Sequence, residues 1–249
     1  MLFIQALLLG VLAGLAQWDS RMFGQNMLDR PLVTGPLVGL ILGDISTGII
    51  MGASLELVWM GIVNIGGATP PDTVTGGILG TAFAILSGLD TETAVAVALP
   101  IAILAQSLGI LARVINATFN HRVDSYAEQG DYKGVERMLW CGAAVFFIIS
   151  FLPVFLGVYV GSDFVTTIVD AIPPKLLDGL RMSSGLLPAL GIAILMRFIY
   201  DKHSAPYLFF GFVMSAFLNL SMIGITFLAC AIGVVYYNTT SHNNQVGGQ

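Results

Sequence analysis

Apolar residues run in long, unalternating stretches along almost the whole chain, at 2–16, 94–112, 140–160, 185–200 and 207–237. Only 10% of the 249 residues are charged, whereas an average soluble domain spends about a quarter on Asp, Glu, Lys and Arg. A water-facing surface cannot be built from that inventory, and the mean hydropathy of +0.85 makes the bilayer the main solvent for the fold. In hydrocarbon every backbone N–H and C=O must find a partner within the protein, which leaves helices or a closed barrel. The stretches are continuous rather than alternating, so helices are expected. At roughly 20 residues per span, the sequence predicts an all-α polytopic integral membrane protein with about seven to nine transmembrane helices. Several are expected to be broken or re-entrant, because Gly and Pro interrupt them. Such a chain is suited to carrying a small polar solute across a membrane.

Residues 1–16 lack the basic region of a signal peptide and a clear small-residue cleavage site, so they read as a retained first helix. The chain then divides into an N-terminal membrane half (1–119), a polar loop (120–137), a C-terminal membrane half (138–237) and a tail (238–249). Arg113, Arg122, Lys133 and Arg137 place the polar loop on the cytoplasmic side. Arg197, Lys202 and His203 would share that side, and Asp163, Asp170, Pro173 and Pro174 mark the other. The tail is Asn, Gly, Ser and Thr, a composition that predicts disorder. Cys141 and Cys230 lie in apolar surroundings and read as packed side chains.

Several activities are disfavoured. A net charge of −5 and the lack of a basic run argue against nucleic acid. There is no Walker loop, zinc-spaced cluster or nucleophile elbow. His121, His203 and His242 all lie in polar segments, so no catalytic residue, metal or cofactor is expected and the chain should not carry out phosphoryl chemistry alone.

The N-terminal half is rich in glycine at helical spacing: Gly10 and Gly14; Gly35, Gly39 and Gly43; Gly48 and Gly52; Gly76 and Gly80. Small residues four apart clear a helix face for close approach of another backbone in lipid. A carboxylate near the middle of a spanning helix costs roughly 2.5 to 3.5 kcal/mol, yet the segment from Gly39 to Gly61 carries Asp44 and Glu56 among apolar neighbours. Glu56 reads as a pocket residue together with Asn64, Thr69 and Asp72, the alternative being an ion pair with Arg21 or Arg30. Asp44, in a Gly-Asp-Ile-Ser-Thr-Gly turn with Gly43 and Gly48, reads first as a helix cap. The stretch Asn64–Gly77 pairs prolines with paired glycines and is not expected to form a regular helix; irregular backbone at membrane depth lines a cavity or is buried in protein, the alternative being a simple exposed loop. Sugar hydroxyls both donate and accept, and carboxylates and amides match them. Gln5, inside the first apolar helix, is either a further contact or an interhelical hydrogen bond. Trp59 reads as a packed rather than a stacking residue.

These residues carry a resemblance. Asp29-Arg30-Pro31-Leu32, Leu37–Asp44, Thr47–Gly52, Leu55-Glu56 and Asn64–Gly67 leading to Pro71-Asp72 closely resemble the IIC subunits of the mannose-type sugar phosphotransferase system of bacteria. Ala171–Pro173, Gly179-Leu180 and Pro206–Val213 continue the likeness. The resemblance implies a multi-pass subunit of the bacterial inner membrane, paired with a IID subunit, the pairs assembling as a trimer of heterodimers. It also implies elevator-like movement of the sugar and phosphorylation by soluble IIA and IIB components charged from phosphoenolpyruvate. Carried onto this sequence, the sugar contacts fall on Glu56, Asn64, Thr69 and Asp72, with Gln5 a weaker match. Glu56–Gly61 and Pro70-Pro71 are similar to members that take N-acetylgalactosamine or galactosamine; Asn64-Ile65-Gly66 is more mannose-like, and sorbose or fructose stay open. Two readings of another kind compete: an autonomous ion-coupled transporter with Asp44 and Glu56 as its ion site, and a membrane scaffold whose carboxylates merely pair with arginines.

Overall fold

A computed structural model describes residues 1–62, 70–171, 179, 182, 186–202 and 205–246. Among them are nine α-helices and no strand. The helices are α1 (Leu2–Trp18), α2 (Pro31–Leu42), α3 (Ile45–Trp59), α4 (Thr73–Ser87), α5 (Thr91–Glu128), α6 (Tyr132–Ala171), α7 (Leu187–Ile199), α8 (Ala205–Ala216) and α9 (Met222–Val246). A π-helical turn, Asp19–Phe23, extends α1. The chain forms two units, Met1–Leu195 and Met196–Gln249.

The first unit is organised by helix length. Leu2–Phe23, Thr91–Glu128 and Tyr132–Gly161 are long and apolar enough to cross a bilayer. By contrast α2 has 12 residues, and α3 and α4 have 15 each. At 1.5 Å per residue these are about 18 and 22 Å long, short of a hydrocarbon core of about 30 Å. They are the broken segments that the interrupted apolar runs predict.

Glycine placement explains how the short helices pack. Gly43, at φ +93°, ends α2, and Asp44 caps α3 by accepting from Thr47 N (3.0 Å) and Thr47 Oγ1 (2.6 Å). The chain thus turns back on itself, and Gly35 and Gly39 face Gly48 and Gly52. A Cβ at Gly48 would stand 2.6 Å from Gly35 O and 2.8 Å from Gly39 Cα, so only backbone fits between the two helices. α4 is the most enclosed helix, buried continuously from Val74 to Ala84. Its Gly76 and Gly80 admit Ala102 and Ala98 of α5, and the fully buried Trp59 ring lies over Gly76 and Gly77. Trp59 is therefore a packed residue.

α1 runs antiparallel to α6. Gly10 and Gly14 make room for Phe151 and Phe147, which belong to a ladder of stacked rings, Phe147, Phe151, Phe155 and Tyr159, with centroids 5.7 to 5.9 Å apart. Phe3 meets the far end of the ladder edge-on. Trp18 meets the near end, touching Phe147 and Trp140 and donating from Nε1 to Ala143 O at 2.8 Å.

Four expectations change. The stretch 64–77, read as unable to form a regular helix, is helical from Thr73 onward, because Asp72 caps α4 and Gly76 and Gly77 serve close packing inside it. The stretch 120–137, read as a loop, is helical on both sides of a turn at Gln129–Asp131, with Gly130 at φ +68° and Asp131 accepting from Gly134 N. Its polarity reports the surrounding solvent, not the backbone. Likewise α9 continues to Val246, so the polar composition after Asn238 does not end the helix; residues 247–249 lie outside the described ones. Cys141 and Cys230 are exposed rather than packed, since in a bilayer the outer face is itself an apolar environment.

The second unit comprises the end of α7 with α8 and α9. Tyr207, Phe210 and Met214 of α8 face Ile225, Leu228 and Ile232 of α9 across an apolar cleft.

Candidate functional site

A polar cavity of about 510 Å³ lies within the first unit, a size typical of small-molecule sites. Six segments supply its polar wall: Gln17 at the end of α1, Ser20 and Arg21 in the π-helical turn, Asp29 and Arg30 before α2, Glu56 of α3, Asp72 and Thr73 at the start of α4, and Gln106 and Arg113 of α5. Pro70 and Pro71 complete it beside Asp72.

The connection between α1 and α2 is fixed by a buried acid. Asp19, with no exposed surface, accepts from Asn26 Nδ2 (3.1 Å) and Leu28 N (3.0 Å). Gln25 at φ +61° and Met27 at φ +65° bend the segment back, a conformation that non-glycine residues adopt at a cost and hold where the surroundings dictate it. The bend presents Asp29 and Arg30 to the cavity.

Arg30 and Glu56 form the site's ion pair. Arg30 Nε and Nη2 both reach Glu56 Oε1, at 2.9 and 2.6 Å, and Nη2 also donates to Trp59 O at 3.0 Å. Leu32 N donates to Glu56 Oε2 at 3.3 Å. The pair ties the start of α2 to the end of α3, and each side chain is 19% exposed. Asp72 is the N-cap of α4: Oδ1 accepts from Val74 N (3.1 Å) and Gln17 Nε2 (3.1 Å), and Oδ2 from Thr75 Oγ1 (2.7 Å). Its own N–H donates to Ala102 O of α5. Gln17 in turn accepts from Arg21, whose guanidinium packs on the Phe146 ring at 4.1 Å.

Asp29 differs from the other two acids. It receives no hydrogen bond from another described residue, and its Oδ1 is buried without a partner. Burial raises the pKa of its carboxyl, with Arg30 opposing and Asp19 and Glu56 reinforcing the shift.

Of the residues expected from sequence, Glu56 and Asp72 line this cavity. Gln5 does not; it donates to Ile41 O at 3.3 Å, the interhelical bond that was its alternative reading. Asn64 and Thr69 lie outside the described residues. Asp44, Gly43 and Gly48 shape the α2–α3 turn. Sequence reasoning passed over Gln17, Asp29, Gln106 and Arg113 as cavity residues. Gln106 carries the same signal that flagged Gln5, an amide within an apolar run; Asp29 had no comparable signal, since it sits beside Arg30 in a polar connection.

Comparison with known proteins places this architecture. The family model described as the sorbose-specific IIC component of the PTS system matches residues 3–235. The sorbose-specific EIIC component of Lacticaseibacillus casei is 30% identical over 93% of this chain and 87% of its own length. The mannose-specific EIIC component of Escherichia coli K12 is 28% identical over 98% and 92%, and the N-acetylgalactosamine permease IIC component 1 of the same strain is 29% identical over 92% and 85%. A solved structure described as "Structure of membrane protein" superposes with a TM-score of 0.85 at 27% identity, covering 94% of this chain and 95% of that one. The cryo-EM structure of the mannose transporter ManYZ with microcin E492 superposes with a TM-score of 0.61 at 28% identity over the same shares. With the family model spanning nearly its full length, the chain belongs to the mannose-family IIC components of the phosphotransferase system, multi-pass sugar permease subunits of the bacterial inner membrane.

Proposed function

We propose that the chain binds a hexose or amino sugar in the cavity between α1, α3, α4 and α5 and moves it inward for phosphorylation by separate components. The observation that carries this reading is a set of acids, amides and hydroxyls, drawn largely from helix ends and connections, gathered around about 510 Å³ among otherwise apolar helices. Such groups are costly in a membrane and are kept where they face a polar solute. N-acetylgalactosamine or galactosamine is the preferred sugar, on the strength of Glu56–Gly61 and the Pro70-Pro71 pair that borders the cavity; mannose, glucose and sorbose are the alternatives. Glu56 and Asp72 shape the site, with Asn64 and Thr69 as further contacts.

The cavity lies toward the end of the α5 apolar run that leads into the basic stretch from Arg113 to Arg137. Lys and Arg concentrate on the cytoplasmic side of membrane proteins, so this reading makes the described arrangement an inward-open one. Partner subunits complete the cycle: a IID chain in the membrane, assembled with this one as a trimer of heterodimers, and soluble IIA and IIB components that deliver the phosphoryl group. The translocating step is an elevator-like movement of the sugar-bearing helices.

The test is accumulation of radiolabelled N-acetylgalactosamine, galactosamine, mannose and sorbose by cells carrying this chain with its IID, IIA and IIB partners. Phosphorylated product that requires every component is expected. Free sugar accumulating without the partners, and abolished by an uncoupler, would instead establish an autonomous ion-coupled transporter.

A further inference from the structure

We infer that Asp29 is the acid of the cavity that receives the sugar directly, accepting a hydrogen bond from one of its hydroxyls; this rests on the sugar-permease reading of the same site. Three carboxylates line the cavity, and an ionised carboxylate offers about four acceptor positions. Protein donors already occupy both oxygens of Glu56 (Arg30 and Leu32 N) and both oxygens of Asp72 (Gln17, Val74 N and Thr75). Asp29 alone among the three receives no hydrogen bond from another described residue.

Its ordinary structural roles are filled by others. Asp29 does not cap α2: Arg30 is the N-cap residue, and the side chain that accepts from the first turn, at Leu32 N, is Glu56. Nor is it the partner of the adjacent arginine, whose guanidinium turns to Glu56 and Trp59 O. Nearby Arg30 offsets part of the cost of burying the Asp29 carboxyl, but its Oδ1 is left without a hydrogen-bond donor, and a buried acceptor of that kind is costly unless a donor arrives with the ligand. The segment is held by buried Asp19 and by the left-handed residues Gln25 and Met27, so the acceptor is fixed before the sugar enters, which lowers the entropy cost of binding.

The experiment uses the chain assembled with its membrane partner in lipid nanodiscs and measures affinity for the transported sugar and its complete series of monodeoxy analogues. The wild type should reject one analogue by about tenfold to a hundredfold, the worth of a hydrogen bond to a charged group. Asp29→Ala should bind that analogue and the parent sugar alike. Asp29→Asn, nearly isosteric, gives the same comparison where the alanine variant does not assemble, with the discrimination reduced. A uniform loss of affinity that leaves the ratio intact would overturn the inference and make Asp29 a structural residue. A wild-type complex that binds none of the sugars would overturn the permease reading of the cavity, and Asp29's role with it.

Discussion

Each acid near the α1–α4 region faces a different problem of partnership, and the solutions differ. Glu56, a mid-membrane acid by sequence, is neutralised by Arg30 across 26 positions of chain. Removing one member of a partly buried pair strands the other. Glu56→Gln and Arg30→Gln are each expected to lower unfolding stability by about 1–3 kcal/mol. The double substitution should cost less than the sum, a coupling readable from thermal melts of purified protein; additive costs would show that the pair contributes nothing. Asp29 carries the second residue-scale prediction. Burial holds its pKa above the usual carboxylate value, so its charged form is disfavoured in the empty site, and protonation as the pH falls stabilises the fold. Sugar binding has the opposite sign, because a hydroxyl donor prefers the carboxylate. Affinity should fall on going from neutral to mildly acid pH, beginning above the usual Asp range, and Asp29→Asn should flatten the profile.

Paired short helices make the scaffold that holds these residues, and glycine makes the pairing possible. Because a Cβ at Gly48 would meet backbone on α2, Gly48→Leu must push α2 and α3 apart. Overpacking of this kind costs about 1–3 kcal/mol, and the variant should melt earlier and bind sugar more weakly; an unaltered melting profile would contradict the interlocked arrangement. Much of this was legible in the sequence. Four-residue glycine spacing announced the close approach, the Gly-Asp-Ile-Ser-Thr-Gly turn announced the Asp44 cap, and apolar runs interrupted by Gly and Pro announced broken helices. The site was legible only in part. Glu56 stood out as a charge in apolar context and Asp72 as an acid in the polar, proline-interrupted stretch that follows it, whereas Asp29 and Arg113 sit where charge is ordinary. Their place in the cavity depends on which helices meet, and periodicity within one helix does not carry that information. Polarity also misled at 120–137: the residues leave hydrocarbon, but the helices of α5 and α6 run on through water to a turn at Gln129–Asp131.

Across the whole molecule, the proposed orientation puts the cavity, the basic α5–α6 connection and the Trp18–Trp140 contact together on the cytoplasmic side. With Cys141 and Cys230 replaced by Ala, a cysteine at Gln129 should be labelled by an impermeant thiol reagent in inside-out vesicles and protected in intact cells; the reverse pattern would place the cavity on the outer face. Occupancy by the sugar of the cavity bounded by Asp29, Glu56 and Asp72 is tested most directly by single-cysteine protection. In the same cysteine-free background, assembled with its partner subunit, the rate of alkylation is measured at Val33→Cys, on the cavity wall, and at Leu40→Cys, exposed elsewhere on α2. Transported sugar should slow alkylation at position 33 and leave position 40 unchanged, while a sugar that is not transported should affect neither. Undiminished alkylation at position 33 under saturating transported sugar would contradict the assignment of the site.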